Sequence, residues 1–201
     1  MIRVMLAEDQ GMVRGALATL LGLEDDLEVV ATAANGAEAV ALAVEVRPDV
    51  ALLDIEMPEM DGLTAAGEIR RTVPGCQVMI LTTFGRPGYL RRAMEAGAAA
   101  FLVKDSPAEE LAAAIRRVLK GERVIDPALA AAALSAGPNP LSQRERDVLN
   151  ASESGAAISD IARSLHLSEG TVRNYLSTAI NKVGARNRIE AVQRARTQGW
   201  L

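Results

Sequence analysis

The chain has 201 residues and a net charge of −4, with 49% hydrophobic residues, one cysteine and one histidine. That length holds one large domain or two small ones, and a single cysteine excludes an internal disulfide and suits a reducing compartment. Cys76 and His166 alone leave no zinc-type cluster and no Ser-His or Cys-His nucleophile pair.

The opening MIRVMLAEDQ has too short an apolar run, met at once by acids, for a secretory signal. No uncharged apolar stretch reaches the roughly 18 residues of a membrane span, so a soluble, cytoplasmic protein is expected. Charge is unevenly spread: residues 1–120 carry 12 Lys and Arg against 18 Asp and Glu, whereas residues 141–201 carry 9 against 6. An acidic front and a basic rear suggest two modules with different partners.

In chain order, IRVMLA (2–7), EVVATA (28–33), DVALLD (49–54), QVMILT (77–82) and AAFLV (99–103) read as buried strands. Amphipathic stretches near 12–22, 36–46, 63–72, 87–96 and 107–119 alternate with them. Five βα units imply a parallel sheet with helices on both faces. In the last of these helices Ser106 is the expected cap, Pro107 the first position and Glu109 the reciprocal member of a capping box, and Gly121 ends it.

Residues 122–140 change character. DPALAAAALS can accommodate a short Ala-rich helix, and GPNP (137–140) is a breaker cluster that reads as a linker. Beyond it, Ser142 and Glu145 form a capping box opening a helix to about 153, followed by helices near 158–165, 168–183 and 187–197. In the third, Val172, Leu176, Ala179, Ile180 and Val183 share one face, and Arg173, Asn174, Ser177 and Asn181 the opposite one. Two short helices joined by a tight turn, the second with a polar outward face, fit a helix-turn-helix. The domains expected are 1–120, a linker 121–140, and 141–201.

Acids stand at the strand tips. Glu8 and Asp9 follow the first strand and Asp54 ends the third, and in the flavodoxin-like strand order 2-1-3-4-5 those strands are neighbours. Three carboxylates in one pocket repel; a hard divalent cation such as Mg²⁺ resolves that. Thr82 after the fourth strand and Lys104 after the fifth add a hydroxyl and an ammonium. Together these are the parts of a phosphoryl-transfer site. Any one of them alone would ordinarily be a turn, cap or solvated residue; their joint placement at four strand ends carries the reading.

With these residues the front half resembles the receiver domain of two-component response regulators: Glu8-Asp9, Asp54 with Met57-Pro58, Thr82 and Lys104. The tail LSQRERDVL…DIARSLHLSEGTVRNYLSTAINKVGARNR resembles the LuxR-type helix-turn-helix of the NarL/FixJ subfamily. In the front half, LTTFGRPGYLRRAMEAGAAAFLVKDSPAEEL (81–111) is especially similar to DesR-type members. The resemblance implies that Asp54 takes a phosphoryl group from a sensor histidine kinase. It also implies Mg²⁺ held by Glu8, Asp9, Asp54 and the backbone carbonyl of Glu56. Lys104 would pair with the phosphate, and Thr82 and Phe101 would act as the switch. Phosphorylation would then favour a homodimer on promoter DNA. Ala157 departs from the family's polar cap, leaving Ser159 as an alternative. Gly170 lowers helix propensity and would also admit a phosphate; the sequence favours neither reading.

On the third tail helix, Arg173 is suited to guanine, Asn174 to adenine and Ser177 to either. Thr171, Tyr175, Lys182, Arg186 and Arg188 are candidates for phosphate contacts, and Trp200 reads as a packing residue. Two other classes remain open on sequence. The front could be an aspartyl-nucleophile phosphohydrolase, although Glu56 stands where such enzymes need a second Asp. The tail could be a protein-binding helical module.

Overall fold

The computed structural model describes residues 1–83, 87–104, 108–135, 139–153 and 155–201. The strands are β1 (Ile2–Ala7), β2 (Leu27–Ala33), β3 (Val50–Leu53), β4 (Gln77–Thr82), β5 (Ala100–Val103) and β6 (Val124–Ile125). Between them lie helices α1 (Gly11–Leu21), α2 (Gly36–Val46), α3 (Gly62–Thr72), α4 (Pro87–Glu95) and α5 (Ala108–Leu119). Then follow α6 (Pro127–Ser135), α7 (Gln143–Ala151), α8 (Ile158–Ser164), α9 (Glu169–Lys182) and α10 (Arg188–Thr197). Contacts divide the chain into two units, one carrying the sheet and ending at Ala130, the other containing Ala131–Leu201.

Each expected strand of the front half forms within one residue of its expected limits. The sheet is parallel throughout, in the order β2-β1-β3-β4-β5-β6. The expected order is thus kept and one strand longer. β6 has only two residues, too few for any alternation to announce it, and it exists because Val124 and Ile125 pair with Ala100 and Phe101. Strand residues alternate between two buried faces. Val4, Leu6, Val50, Leu52, Met79 and Leu81 cluster with Leu21 of α1 and Leu111, Ile115 and Val118 of α5. Their neighbours Met5, Ala7, Ala51, Leu53, Val78 and Ile80 are equally buried and face the other way, where α2 and α3 pack.

Local chemistry sets the helix ends. Asn35 and Asp61 cap α2 and α3 by accepting the N–H of Glu38 at 2.8 Å and of Thr64 at 2.6 Å. Gly121, at φ 85°, closes α5: its N–H donates to Val118 O and the Glu122 N–H to Arg117 O, the paired bonds of a Schellman ending. Ser106 and Pro107 lie outside the described residues, as do Gly137 and Pro138.

The second unit is a helical bundle around Val148, Leu149, Ile161, Val172, Leu176, Ala179 and Val192. The expected Ser142–Glu145 capping box is present at the start of α7. Ala157, not Ser159, is the N-cap of α8, and it makes no side-chain cap bond. Ser168 caps α9 by accepting the Thr171 N–H at 3.1 Å. The turn between α8 and α9 puts His166 in the left-handed region at φ 54°, with Leu167 N–H returning to Ala162 O at 2.8 Å. Trp200 packs against this core, and Asn139, the third residue of the breaker cluster, donates to its carbonyl at 2.9 Å.

Candidate functional site

Strand register builds the acidic pocket. Leu6 and Ala7 of β1 lie beside Leu52 and Leu53 of β3, and the Asp54 N–H donates to Ala7 O at 2.9 Å. The residues that follow each strand therefore emerge at one edge: Glu8, Asp9 and Asp54 bring carboxylate oxygens within 4.8 Å of one another. Glu8 is 1% exposed and Asp54 6%, while Asp9 is open to solvent.

Lys104, just past β5, reaches across. Its Nζ lies 2.5 Å from Glu8 Oε2 and 3.0 Å from Asp54 Oδ2. The Ile55 N–H donates to Asp54 Oδ1 at 2.8 Å, and the Gln10 N–H to Glu8 Oε1 at 3.2 Å. Thr82, 2% exposed, ends β4, and its carbonyl accepts the Lys104 N–H at 2.8 Å. Phe101 is fully buried in β5. Glu56 lies two residues beyond Asp54 in the turn before α3, with its side chain exposed.

These surroundings shift the titrations. Burial pushes the Asp54 carboxyl above the usual range; Lys104 and the Ile55 N–H offset part of this, and the charge of Asp9 adds to it. Burial likewise raises Glu8, against Lys104 and with a contribution from Asp54. Lys104 moves up: burial opposes its charge, but Glu8 and Asp54 outweigh it. One ammonium against three carboxylates leaves net negative charge in a half-closed pocket of oxygen donors, which fits a hard divalent cation.

Two supporting residues were not anticipated from sequence. Arg14 donates from Nη1 to Glu8 O at 2.5 Å and reaches Asp9 O at 3.4 Å, holding the backbone that carries two of the acids. Its position on α1, after the acids, is the one signal that pointed to it. Gly62, at the start of α3, is the second. A Cβ there would lie 1.8 Å from Asp54 O, so only glycine lets α3 begin so close to the strand tip.

In the second unit, α9 turns Arg173, Asn174 and Ser177 to solvent and buries Val172, Leu176 and Ala179, as its periodicity predicts. Thr171 and Tyr175 are half-buried. The basic side chains have partners within the protein. Arg173 pairs with Glu169 at 3.0 Å, and Lys182 with Glu145 at 2.9 Å. Arg186 pairs with Glu190 at 2.9 Å, and Arg188 donates to Ala156 O at 2.9 Å. Backbone and guanidinium donors of Arg186, with Arg194 behind, hold Glu190 down at about 2. A Cβ on Gly170 would meet only Ser168 Oγ, at 3.8 Å, so packing does not demand glycine there.

A parallel sheet with clustered acids and a lysine at its strand tips, followed by a helix-turn-helix, defines a class: signal receivers coupled to DNA-binding modules. The comparisons agree. Residues 4–116 match the response regulator receiver domain, and residues 139–195 match the LuxR family of bacterial regulatory proteins. The chain is 48% identical to the transcriptional regulatory protein DesR of Bacillus subtilis over the full length of both. It is 39% identical to the response regulator RamR of Streptomyces coelicolor, over 100% of this chain and 98% of the relative. The crystal structure of the response regulator ChrA of a heme-sensing two-component system superposes with a TM-score of 0.58. It is 34% identical, covering 100% of this chain and 98% of that one.

The chain belongs to the response regulators with a LuxR-type DNA-binding domain. It is a DNA-binding transcriptional regulator and not an enzyme, which removes the phosphohydrolase reading. No helix among the described residues is long and apolar enough to cross a membrane.

Proposed function

We propose that Asp54 is the phosphoacceptor through which a sensor histidine kinase controls promoter binding by this cytoplasmic regulator. The observation that carries the reading is the convergence of Glu8, Asp9 and Asp54 within 4.8 Å, with Lys104 on two of them. Residues 1–120 act as receiver, 121–140 as linker and 141–201 as DNA-binding domain.

Asp54 Oδ1 is occupied by the Ile55 N–H, which leaves Oδ2, beside Lys104, as the attacking oxygen. It bonds to phosphorus as the donor's P–N bond breaks, and the departing imidazole nitrogen keeps the electron pair. Lys104 exchanges its carboxylate partners for a phosphoryl oxygen, and Thr82 donates its hydroxyl to another. Phe101 follows Thr82 as the fold adjusts. Glu8, Asp9, Asp54 and the Glu56 carbonyl would hold Mg²⁺, which when bound would neutralise charge so that a phosphoryl dianion could enter an acidic pocket. The modified form pairs into a homodimer, because one reading helix per chain suits DNA with two half-sites.

On DNA, Arg173, Asn174 and Ser177 read base edges, and Thr171, Tyr175, Arg186 and Arg188 meet phosphates. Lys182, grouped with them on sequence grounds, is already held by Glu145.

An acyl phosphate donor with Mg²⁺ should add one alkali-labile phosphoryl group, lost in Asp54→Ala and blocked by chelator. Persistent labelling of Asp54→Ala would overturn the assignment.

A further inference from the structure

Glu145 is a charged residue in the wrong place for a surface. It is 4% exposed, at the first turn of α7, and its Oε2 accepts both the Ser142 N–H at 2.6 Å and the Lys182 ammonium at 2.9 Å. Burial works against its charge, yet Lys182 and Ser142 outweigh that and hold its carboxyl below the usual range. Lys182 is the last residue of α9, 37 positions along the chain. The pair thus joins the end of one helix to the start of another.

Apolar packing already sets which face of α9 is buried, through Val172, Leu176, Ala179 and Val183. Such contacts tolerate small slides and rotations; a hydrogen-bonded buried charge has one geometry. Arg173 lies nine residues before Lys182, about 14 Å along the axis, so a rotation allowed at one end displaces the base-reading side chains at the other. A second consequence concerns charge. Lys182 keeps 40% of its side chain exposed, but an ammonium already neutralised by a buried carboxylate displaces less counterion from DNA than a free one.

We infer that Glu145 is a positioning residue for DNA recognition: through Lys182 it locks the end of α9 to the start of α7, and it withdraws Lys182 from the cations that meet phosphate. This rests on α9 being the DNA-reading helix.

The test uses full-length protein treated with acetyl phosphate and Mg²⁺, a duplex selected by that protein from random DNA, and a scrambled duplex, at several salt concentrations. Glu145→Gln keeps the capping box, since Gln serves at that position, and frees Lys182. The double variant Glu145→Gln/Lys182→Met strands no charge and stays informative if Lys182→Met alone fails to fold. The double variant should keep the wild-type salt slope and lose about threefold or more in the selected-to-scrambled affinity ratio. Glu145→Gln should raise the slope by up to about one as the freed ammonium finds phosphate. A slope lower by about one in the double variant, with its ratio intact, overturns the inference and makes Lys182 a phosphate contact. An unchanged ratio overturns the positioning role. Wild-type protein that selects no sequence overturns the reading of α9, a failure distinct from both.

Discussion

The two units treat charge in opposite ways. In the receiver pocket three carboxylates face one ammonium, two of the acids buried. In the second unit every Lys and Arg from Arg144 to Arg196 has an acid or a polar partner, among them Asp147, Asp160, Glu169, Glu145, Glu190 and Glu153. Unbalanced buried charge is costly, so a fold that keeps it is set up for a ligand that completes it. Balanced surface charge costs little, but each cation must leave or share a partner before it can hold DNA. One site holds an excess of acid over base; the other pairs each base with a partner.

The largest test of that contrast removes the pocket's cation. Lys104→Met leaves Glu8 and Asp54 with no ammonium between them, and the receiver's unfolding free energy should fall by about 3 kcal/mol. Millimolar Mg²⁺ should restore most of the loss, because a cation taken up by the proposed site would favour the folded pocket alone. Calorimetry with and without Mg²⁺ measures both, and a variant as stable as the parent in chelator would show that the carboxylates carry no strain.

Acid titration separates the units by sign. The folded Asp54 carboxyl titrates above its unfolded value, so its ionisation lowers stability as pH rises through that window. Asp54→Asn should therefore be more stable than the parent at neutral pH, with the gap closing as pH falls through the folded value toward about 4. Glu145 is shifted the other way: its contribution is complete above its unfolded value near 4.5 and is lost as pH falls below it. Glu145→Gln should be less stable by about 1–2 kcal/mol at neutral pH, and this gap too should close in acid. Urea midpoints for each unit between neutral pH and about 3.5 check the signs; two gaps of the same sign would break the comparison.

The smallest effect tests local backbone alone. His166 occupies a left-handed conformation in the turn between α8 and α9, where glycine bears no Cβ penalty. His166→Gly should stabilise the second unit by about 0.5–1 kcal/mol, read as a rise in its melting temperature, with the receiver transition unmoved.

Much of the site was legible because its residues are announced by their immediate neighbours. Asp54 follows an apolar strand and precedes Pro58; Glu8 and Asp9 follow another. Arg14 and Gly62 were less legible, for their roles are to touch backbone atoms of Glu8 and Asp54, and no side-chain pattern encodes that. Lys182 shows the limit most clearly. Its charge and place at the end of α9 suit a phosphate contact, and only the fold shows that its ammonium meets Glu145 on another helix.

Alternation, helical period and capping residues act within about four positions, so the sequence alone determined the βα order, the Ser142–Glu145 box and the polar face of α9. The strand-tip acids follow from the same local grammar once strands one and three are neighbours. Tertiary structure decided what depends on closing the chain over long separations. β6 exists only because β5 offers an edge. Lys104 meets Glu8 across 96 positions and Lys182 meets Glu145 across 37, distances over which pairing is set by how sheet and helices pack. A charged residue's type is written in the sequence, but which opposite charge neutralises it is a property of the fold, because ion pairing depends on separation in space.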